Sequence, residues 1–439
     1  MSFNARRRKN SWVLKMPPIL PSLSAVCLSL LLTTPFGWSV LLKFGGNYYP
    51  EVLLIVACAF AVAVQKFYAD ELFAFFRSSK VYIWGVICAL LLFEGVLMHG
   101  NFFAAYSDFR ATLLLGIFYC VAQKCGKENP RLIDFLIVFS VSSIVGNLIY
   151  YLFFKSEEYG VVKKAFPVLM FVAAIYLTTK YRNPLYSFAV ILAGSSICVM
   201  SLFRTNLAVM VIMILYYLIF ALFTLANRSR RGVNYKTLIQ YGLVIATLFL
   251  FFPALYSVGY EYLASDPTRY NQTIYKLQIL VDNIRTGHSD DPIRAQYPQY
   301  IMKNIYYFLM PGGFGQSVLS THWRSFWMNP RDEIFGSSLD GGYVYLAAHF
   351  GIIITCLLLF YLIFRFVKSS LNESLVEVSR RVICLAAALV YFATFGGNSF
   401  AQIGMAIGTG LLLGLMMRSD PKSLHKDGRT LSLNLSARR

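Results

Sequence analysis

The chain has 439 residues, of which 57% are hydrophobic and only 14% are charged, and its mean hydropathy of +0.57 excludes an ordinary water-soluble domain. The composition instead predicts an all-α polytopic membrane protein. A net charge of +19 at pH 7 does not require a nucleic-acid partner, because basic residues in loops can lie beside an anionic leaflet. The basic cluster at positions 6–9 is explained as the topology signal that precedes a first span.

Mostly apolar runs of about 17–25 residues recur along the chain, and this is the length that crosses about 30 Å of hydrocarbon. They predict about twelve transmembrane helices, nine before and three after one long polar segment. In chain order the spans are 20–41, 50–67, 81–99, 109–124, 133–154, 165–180, 184–202, 206–226, 237–257, 341–366, 381–396 and 401–417. The first is expected to stay as a helix, because it is too long for a cleaved signal peptide.

The distribution of Lys and Arg predicts how these helices are oriented. Most of the 40 basic residues fall in tails and loops on one side of the spans. Because Lys and Arg in short loops stay in the cytoplasm, both termini are predicted to be cytoplasmic. The chain thus divides into residues 1–257 with helices 1–9, a large external loop 258–340 between helices 9 and 10, residues 341–417 with helices 10–12, and a basic tail 418–439 predicted to be disordered.

The external loop is predicted to be partly helical. Residues 293–310 follow two aspartates that can cap a helix and carry apolar or aromatic side chains at three- and four-residue steps. Such a helix would lie along the membrane interface or dock on the bundle. An earlier helix is predicted over about 268–285, and a Gly-rich run, Pro311-Gly312-Gly313-Phe314-Gly315, follows the second. Acidic and basic residues nearly balance in the loop, so a phosphate site there needs a local cluster of arginines.

Three arginines are candidates for binding phosphate, because a guanidinium group can hold two phosphate oxygens at headgroup depth. Arg204 lies between two apolar spans on the external side with almost no loop around it, where an ionisable residue is a functional candidate. The alternative is a side chain that extends to the membrane interface. Arg269 and Arg294 lie in the external loop, where the alternative is a solvated surface residue.

Four further residues are candidates for contacts to a sugar. Asp340 stands before helix 10 and is either an N-cap or a carboxylate that orients or deprotonates a sugar hydroxyl. His349 in the same helix is either a buried hydrogen-bonded group or part of a polar pathway. Tyr300 and Tyr343 could stack on sugar rings, and anchoring at the membrane interface is the alternative. The eight cysteines show no spacing typical of a metal site and are expected to be packing residues.

The order of these parts is informative. An arginine follows a span in Ser201–Thr205, Arg294 and then the run Pro311–Gly315 lie in a large external loop, and Asp340–Gly351 opens the next helix. In this order the chain resembles the superfamily of O-antigen polymerases and O-antigen ligases, which are bacterial inner-membrane glycosyltransferases. Ligases of the superfamily commonly have His-Asn where this chain has Asp340-Gly341, and this difference favours a polymerase.

The resemblance implies a metal-independent enzyme without a cofactor that joins undecaprenyl-pyrophosphate-linked glycans at the periplasmic face. Membrane lipid and a chain-length regulator are further candidate partners, and no nucleic acid is expected. The implied roles are pyrophosphate binding by Arg204, Arg269 and Arg294, catalysis by Asp340 and Arg294, and contacts to the acceptor glycan by Tyr300, Tyr343 and His349. The alternatives are an O-antigen ligase, which transfers glycan to lipid A core, and, in a different class, a polysaccharide flippase or transporter.

Overall fold

A computed structural model describes residues 19–34, 79–100, 102–124, 130–154, 168–181, 184–201, 204–229, 305, 309–315, 342–371, 373–401 and 403–418. All regular structure in these ranges is α-helix. The helices are α1 (Ile19–Thr33), α2 (Ser79–His99), α3 (Phe102–Lys124), α4 (Pro130–Phe154), α5 (Val168–Tyr181), α6 (Pro184–Ser201), α7 (Arg204–Ser229), α8 (Gly342–Ser370), α9 (Leu375–Ala401) and α10 (Ile403–Met416).

Ten of the twelve predicted spans coincide with these helices, so the prediction of an all-helical chain is confirmed for the described residues. The predicted spans 50–67 and 237–257 lie outside them. So do the predicted helix at about 268–285 and the tail after Arg418. Of the second predicted loop helix, the structure describes Ile305 and Leu309 as helical.

Two helices begin six or more residues before the start that the apolar pattern predicted. Helix α3 begins at Phe102 rather than at 109, and α9 begins at Leu375 rather than at 381. The added turns contain Asp108 and Glu377, and both carboxylates accept hydrogen bonds from other segments of the chain. Because these charged groups are paired within the protein, the helices extend beyond the purely apolar windows.

Helix α5 forms the centre of the described bundle. Every side chain from Val168 to Thr178 is buried, and α5 packs against α4, α6, α7, α9 and α10. A helix that is apolar on all sides needs such neighbours around its whole circumference. The hydrophobic core of the described residues therefore surrounds α5 on all sides.

Helix α10 packs closely on α3 through two glycines. A Cβ atom at Gly410 would lie 2.9 Å from the carbonyl carbon of Leu115, and one at Gly414 would lie 2.6 Å from the Cβ of Ala122. Glycines four residues apart on one helix allow two helix backbones to approach each other. This close approach fixes α3, which carries part of the candidate site.

Within the described ranges, three helices are long and apolar enough to cross a membrane. The apolar windows are Lys80–Met98 in α2, Leu132–Tyr150 in α4 and Tyr345–Ser370 in α8. Large apolar side chains remain exposed on α2 and α8, for example Phe93 at 65% and Phe360 at 69%. Such extensive exposed apolar surface suits contact with lipid.

Charged side chains connect four helices at one end of the bundle. Lys180 at the end of α5 lies 2.6 Å from the carboxylate of Glu377 in the first turn of α9. Arg381 of α9 is only 1% exposed. Its guanidinium donates to Ser369 Oγ of α8 at 2.8 Å and to the Met416 carbonyl of α10 at 3.1 Å. These bonds fix the ends of α5, α8, α9 and α10 relative to one another.

Candidate functional site

The segment Pro311–Gly315, here called the Gly-rich turn, lies among three helices. Gly312, Gly313, Phe314 and Gly315 are all buried. Non-helical backbone among apolar helices is tolerated only where other groups satisfy its polar atoms. The hydrogen bonds of the turn therefore identify the residues that hold it.

Helices α2, α3 and α8 all accept hydrogen bonds from the amides of the Gly-rich turn. These bonds run from Gly312 to the Ala348 carbonyl of α8 at 3.2 Å, from Phe314 to the Leu91 carbonyl of α2 at 3.0 Å, and from Gly315 to Asp108 Oδ2 of α3 at 3.0 Å. A carbonyl of the turn also accepts a hydrogen bond from α8, as described below. The turn is thus fixed by helices that lie far apart in the sequence.

Glycine is required in the turn for two reasons. Gly313 and Gly315 have φ angles of 69° and 80°, which side chains with a Cβ atom rarely adopt. A Cβ at Gly315 would also lie 2.7 Å from the backbone nitrogen of Ala105 in α3. On the opposite side, Gly95 of α2 leaves room for the turn, because a Cβ there would lie 2.6 Å from the Phe314 nitrogen.

Asp108 of α3 and His349 of α8 form a buried pair at the turn, and both side chains are 0% exposed. The Nδ1 atom of His349 lies 2.7 Å from the Gly313 carbonyl oxygen. Because a carbonyl can only accept, Nδ1 carries a hydrogen and donates it. The second ring nitrogen, Nε2, lies 3.7 Å from Asp108 Oδ2.

Both side chains of the pair are bonded to the backbone of the turn. The Gly315 amide donates to Asp108 Oδ2, and Nδ1 of His349 donates to the Gly313 carbonyl. A buried polar group is far less costly when it is hydrogen-bonded. Asp108 and His349 can therefore hold the turn inside the helix bundle.

Aromatic rings enclose the pair. Tyr345, one turn before His349 on α8, lies edge-on to the imidazole with ring centroids 4.1 Å apart, and its side chain also interacts with Asp108. Phe314 of the turn is 0% exposed. Its ring contacts those of Phe109, His349 and Phe350, with centroids 6.5, 5.9 and 6.1 Å away. The rings surround the polar groups with apolar surface.

Helix α8 is interrupted where the segment before the turn crosses it. Gly351 has φ 74° and ψ 157°, a conformation that is essentially restricted to glycine. A Cβ at this position would lie 2.7 Å from the carbonyl carbon of Met310. The break in α8 therefore provides the space through which the chain reaches the Gly-rich turn.

The structure describes His349 completely among the site residues predicted from the sequence. His349 is buried and hydrogen-bonded, which is one of the two alternatives that the sequence left open. For Arg204 in the first position of α7 and Tyr343 near the start of α8, only the backbone is described. The predicted residues that lie outside the described ranges are Arg269, Arg294, Tyr300 and Asp340.

Sequence reasoning missed Asp108. The apolar pattern placed the start of the span at 109, which left this aspartate in a connecting loop. A carboxylate next to a long apolar run is itself an indication of function, because such a group needs a partner. The partner, however, comes from α8, and only the folded structure brings residues 108 and 349 together.

The arrangement fixes the polar segment at a defined point on the bundle. Arg294 precedes the Gly-rich turn in the sequence and Asp340 follows it. The turn that lies between them in the sequence is held by three helices. Asp108 and His349 are fully buried, so their role is to position the turn. The groups suited to phosphate and hydroxyl chemistry, Arg294 and Asp340, belong to the sequence on either side of it.

A scan against protein-family models finds no match to the chain. Searches of curated proteins and of solved structures find no match either.

Proposed function

We propose that the chain is an O-antigen polymerase, a glycosyltransferase that joins undecaprenyl-pyrophosphate-linked repeat units at the periplasmic face of the bacterial inner membrane. The observation that supports the proposal is the buried position of the Gly-rich turn, which is hydrogen-bonded to Asp108 and His349. In the sequence this turn lies between Arg294 and Asp340. A reaction between two lipid-tethered substrates takes place at headgroup depth. It needs a polar segment that is fixed to the ends of the membrane helices.

The proposal includes a topology of twelve spans with both termini in the cytoplasm. The side chains of Lys180, Glu377 and Arg381 at one end of the bundle are here called the charged cluster. Between His349 at the Gly-rich turn and Ser369, which accepts from Arg381 of this cluster, α8 rises by about 30 Å at 1.5 Å per residue. This distance matches the thickness of the hydrocarbon core. The charged cluster contains Lys180 and Arg381, and a basic end belongs in the cytoplasm. The Gly-rich turn then faces the periplasm.

In the proposed reaction, a hydroxyl oxygen of the acceptor repeat unit attacks C1 of the donor glycan. The bond between C1 and the pyrophosphate oxygen breaks, and undecaprenyl pyrophosphate leaves with the bonding electron pair. Asp340 accepts the hydroxyl proton. Arg204, Arg269 and Arg294 neutralise the charge that develops on the pyrophosphate, while Tyr300 and Tyr343 contact the acceptor glycan. Positioning and charge stabilisation are sufficient because pyrophosphate is already a good leaving group.

Replacing Arg294 tests the proposed site. The Arg294→Ala variant should produce lipopolysaccharide with single repeat units, because the departing pyrophosphate loses a charged donor, and removal of one such donor typically costs about 10²–10³ in rate. Arg285→Ala, in the same loop, is the matched control and should retain the ladder of chain lengths. The measurement is gel electrophoresis of lipopolysaccharide from a deletion strain that carries each variant. A normal ladder with Arg294→Ala contradicts the assigned site.

The deletion strain itself distinguishes the alternatives. Loss of a polymerase leaves one repeat unit on the lipid A core, whereas loss of a ligase leaves none. Loss of a flippase retains the repeat unit at the cytoplasmic face. The first phenotype supports the proposed function, and either of the others overturns it.

A further inference from the structure

We propose that Asp108 and His349 are positioning residues of the transfer reaction, which hold the Gly-rich turn so that its two flanks meet the substrates in fixed register. This inference rests on the proposed function and adds two residues to it. Neither residue touches substrate, because both side chains are 0% exposed. They act through the backbone of Gly313 and Gly315.

The two residues bind adjacent peptide groups of the turn, and each comes from a different helix. His349 of α8 donates to the Gly313 carbonyl at 2.7 Å, and Asp108 of α3 accepts from the Gly315 amide at 3.0 Å. The pair also joins the two helices, since its closest nitrogen–oxygen distance is 3.7 Å. Loss of either side chain therefore removes one hydrogen bond to the turn and also removes the neighbour of the other buried side chain.

The hydrogen-bond roles provide matched variants. Asparagine at position 349 can place an amide N–H where Nδ1 donates, whereas phenylalanine keeps a planar ring but has no donor. Asparagine at position 108 keeps a carbonyl oxygen that accepts from the Gly315 amide, whereas alanine has none. Each position thus has one variant that keeps the bond to the turn and one that removes it.

Hydrogen–deuterium exchange of the full chain in lipid nanodiscs tests whether the pair holds the turn. The readout is a peptide that spans residues 309–315, in which the Gly312, Phe314 and Gly315 amides are hydrogen-bonded. His349→Phe should accelerate exchange in this peptide by about tenfold or more, since loss of a buried hydrogen bond favours local opening. His349→Asn should keep the protection of the wild-type protein. Equal protection in His349→Phe and wild type overturns the inference.

Polymer formation is measured in the same variants. The chain-length ladder should be lost with His349→Phe and retained with His349→Asn. If the pair contributes only to stability, polymer formation should instead follow the melting temperatures of the variants. A normal ladder combined with an unprotected turn overturns the positioning role. If wild-type protein makes no polymer, the proposed function fails, and the exchange result still decides whether the pair holds the turn. If His349→Phe does not fold, Asp108→Ala and Asp108→Asn give the same comparison from α3.

Discussion

Gly95 and Gly85 lie on the same helix but in different surroundings. Gly95 faces the Gly-rich turn, and an added Cβ would lie 2.6 Å from the Phe314 nitrogen, whereas nothing lies within 4 Å of a Cβ at Gly85. Contact at Gly95 is with backbone, which cannot move aside as a flexible side chain could. The close packing of α2 on the turn therefore requires a residue without a Cβ atom at position 95.

We expect Gly95→Ala to destabilise the protein by about 1–3 kcal/mol, the usual cost of overpacking a core. Gly85→Ala should be neutral or stabilising by up to about 1 kcal/mol, because alanine favours helix over glycine. Apparent melting temperatures of both variants in the same lipid nanodiscs provide the comparison. Similar melting temperatures for the two would show that the turn does not pack on α2 as described.

At the level of single residues, the sequence predicted part of the site. His349 was recognisable because a histidine inside an apolar span needs a hydrogen-bonding partner. Its partners could not be predicted, since they are a carbonyl in the loop and a carboxylate near the start of α3. The Pro311–Gly315 run was recognisable as a turn from its glycines, but glycine content does not indicate that a turn is buried.

Among the helices, α10 contains one glycine that contacts the backbone of a neighbouring helix closely and another that has more space. A Cβ at Gly410 would lie 2.9 Å from the Leu115 carbonyl carbon and closer still to its oxygen, whereas the nearest atom to a Cβ at Gly404 is the Thr33 Cα at 3.5 Å. Both glycines lie on one short apolar helix. Of these two glycines, Gly410 is the one that allows close approach to α3.

Gly410→Ala should push α10 away from α3 and lower stability by about 1–3 kcal/mol, while Gly404→Ala should have little effect. Thermal unfolding of the two variants tests this difference. Equal unfolding temperatures would mean that the two helix backbones are not in close contact.

The helix boundaries show where the apolar pattern alone predicts the start and end of a helix. Helix α2 begins and ends within two residues of its predicted span 81–99, because almost all of its residues are apolar. Helix α9 begins before its predicted span because Glu377 is paired within the protein. Hydropathy alone treats such a residue as loop.

For the molecule as a whole, one end of the bundle is held by ion pairs. Besides the Lys180–Glu377 pair, Arg381 pairs with Glu373 and the Tyr176 hydroxyl donates to Glu377 at 2.7 Å. Burial by itself raises the pKa of Glu377, but the charge of Lys180 and hydrogen bonds from Lys180 and Tyr176 outweigh it, so the pKa lies below the ordinary value. The folded state thus favours the ionised carboxylate.

The sign of this shift predicts acid sensitivity. A carboxylate whose pKa is lower in the folded state contributes stability above its unfolded pKa, near 4.5, and loses that contribution as pH falls further. Melting temperatures from pH 7 to pH 3.5 should therefore fall more steeply for wild type than for Glu377→Gln. At pH 7 that variant should be less stable by about 1.5–3 kcal/mol, the value of hydrogen bonds to a charged group. Parallel pH dependence in the two proteins would exclude Glu377 as the source.

That certain basic residues share one end of the bundle was accessible from the sequence. The predicted spans 165–180, 381–396 and 401–417 place Lys180, Arg381 and Arg418 at helix ends on the same side. Arg381 contacts the Met416 carbonyl at the end of α10, and Arg418 donates to the Tyr181 hydroxyl beside Lys180. These contacts bring the three residues to one end of the bundle. Which helices are neighbours could not be predicted, because that depends on side-chain shape rather than on charge.

The buried seat of the turn also has a consequence for biosynthesis. Asp108 and the Gly315 amide that it binds are separated by 207 positions in the chain. At about 5–20 residues per second, the ribosome needs roughly 10–40 s to reach the second after making the first. During this interval α3 carries a carboxylate whose partners in the turn and in α8 have not yet been synthesised. The contacts of Asp108 in the N-terminal half of the chain can therefore form only after the Gly-rich turn and α8 have been synthesised.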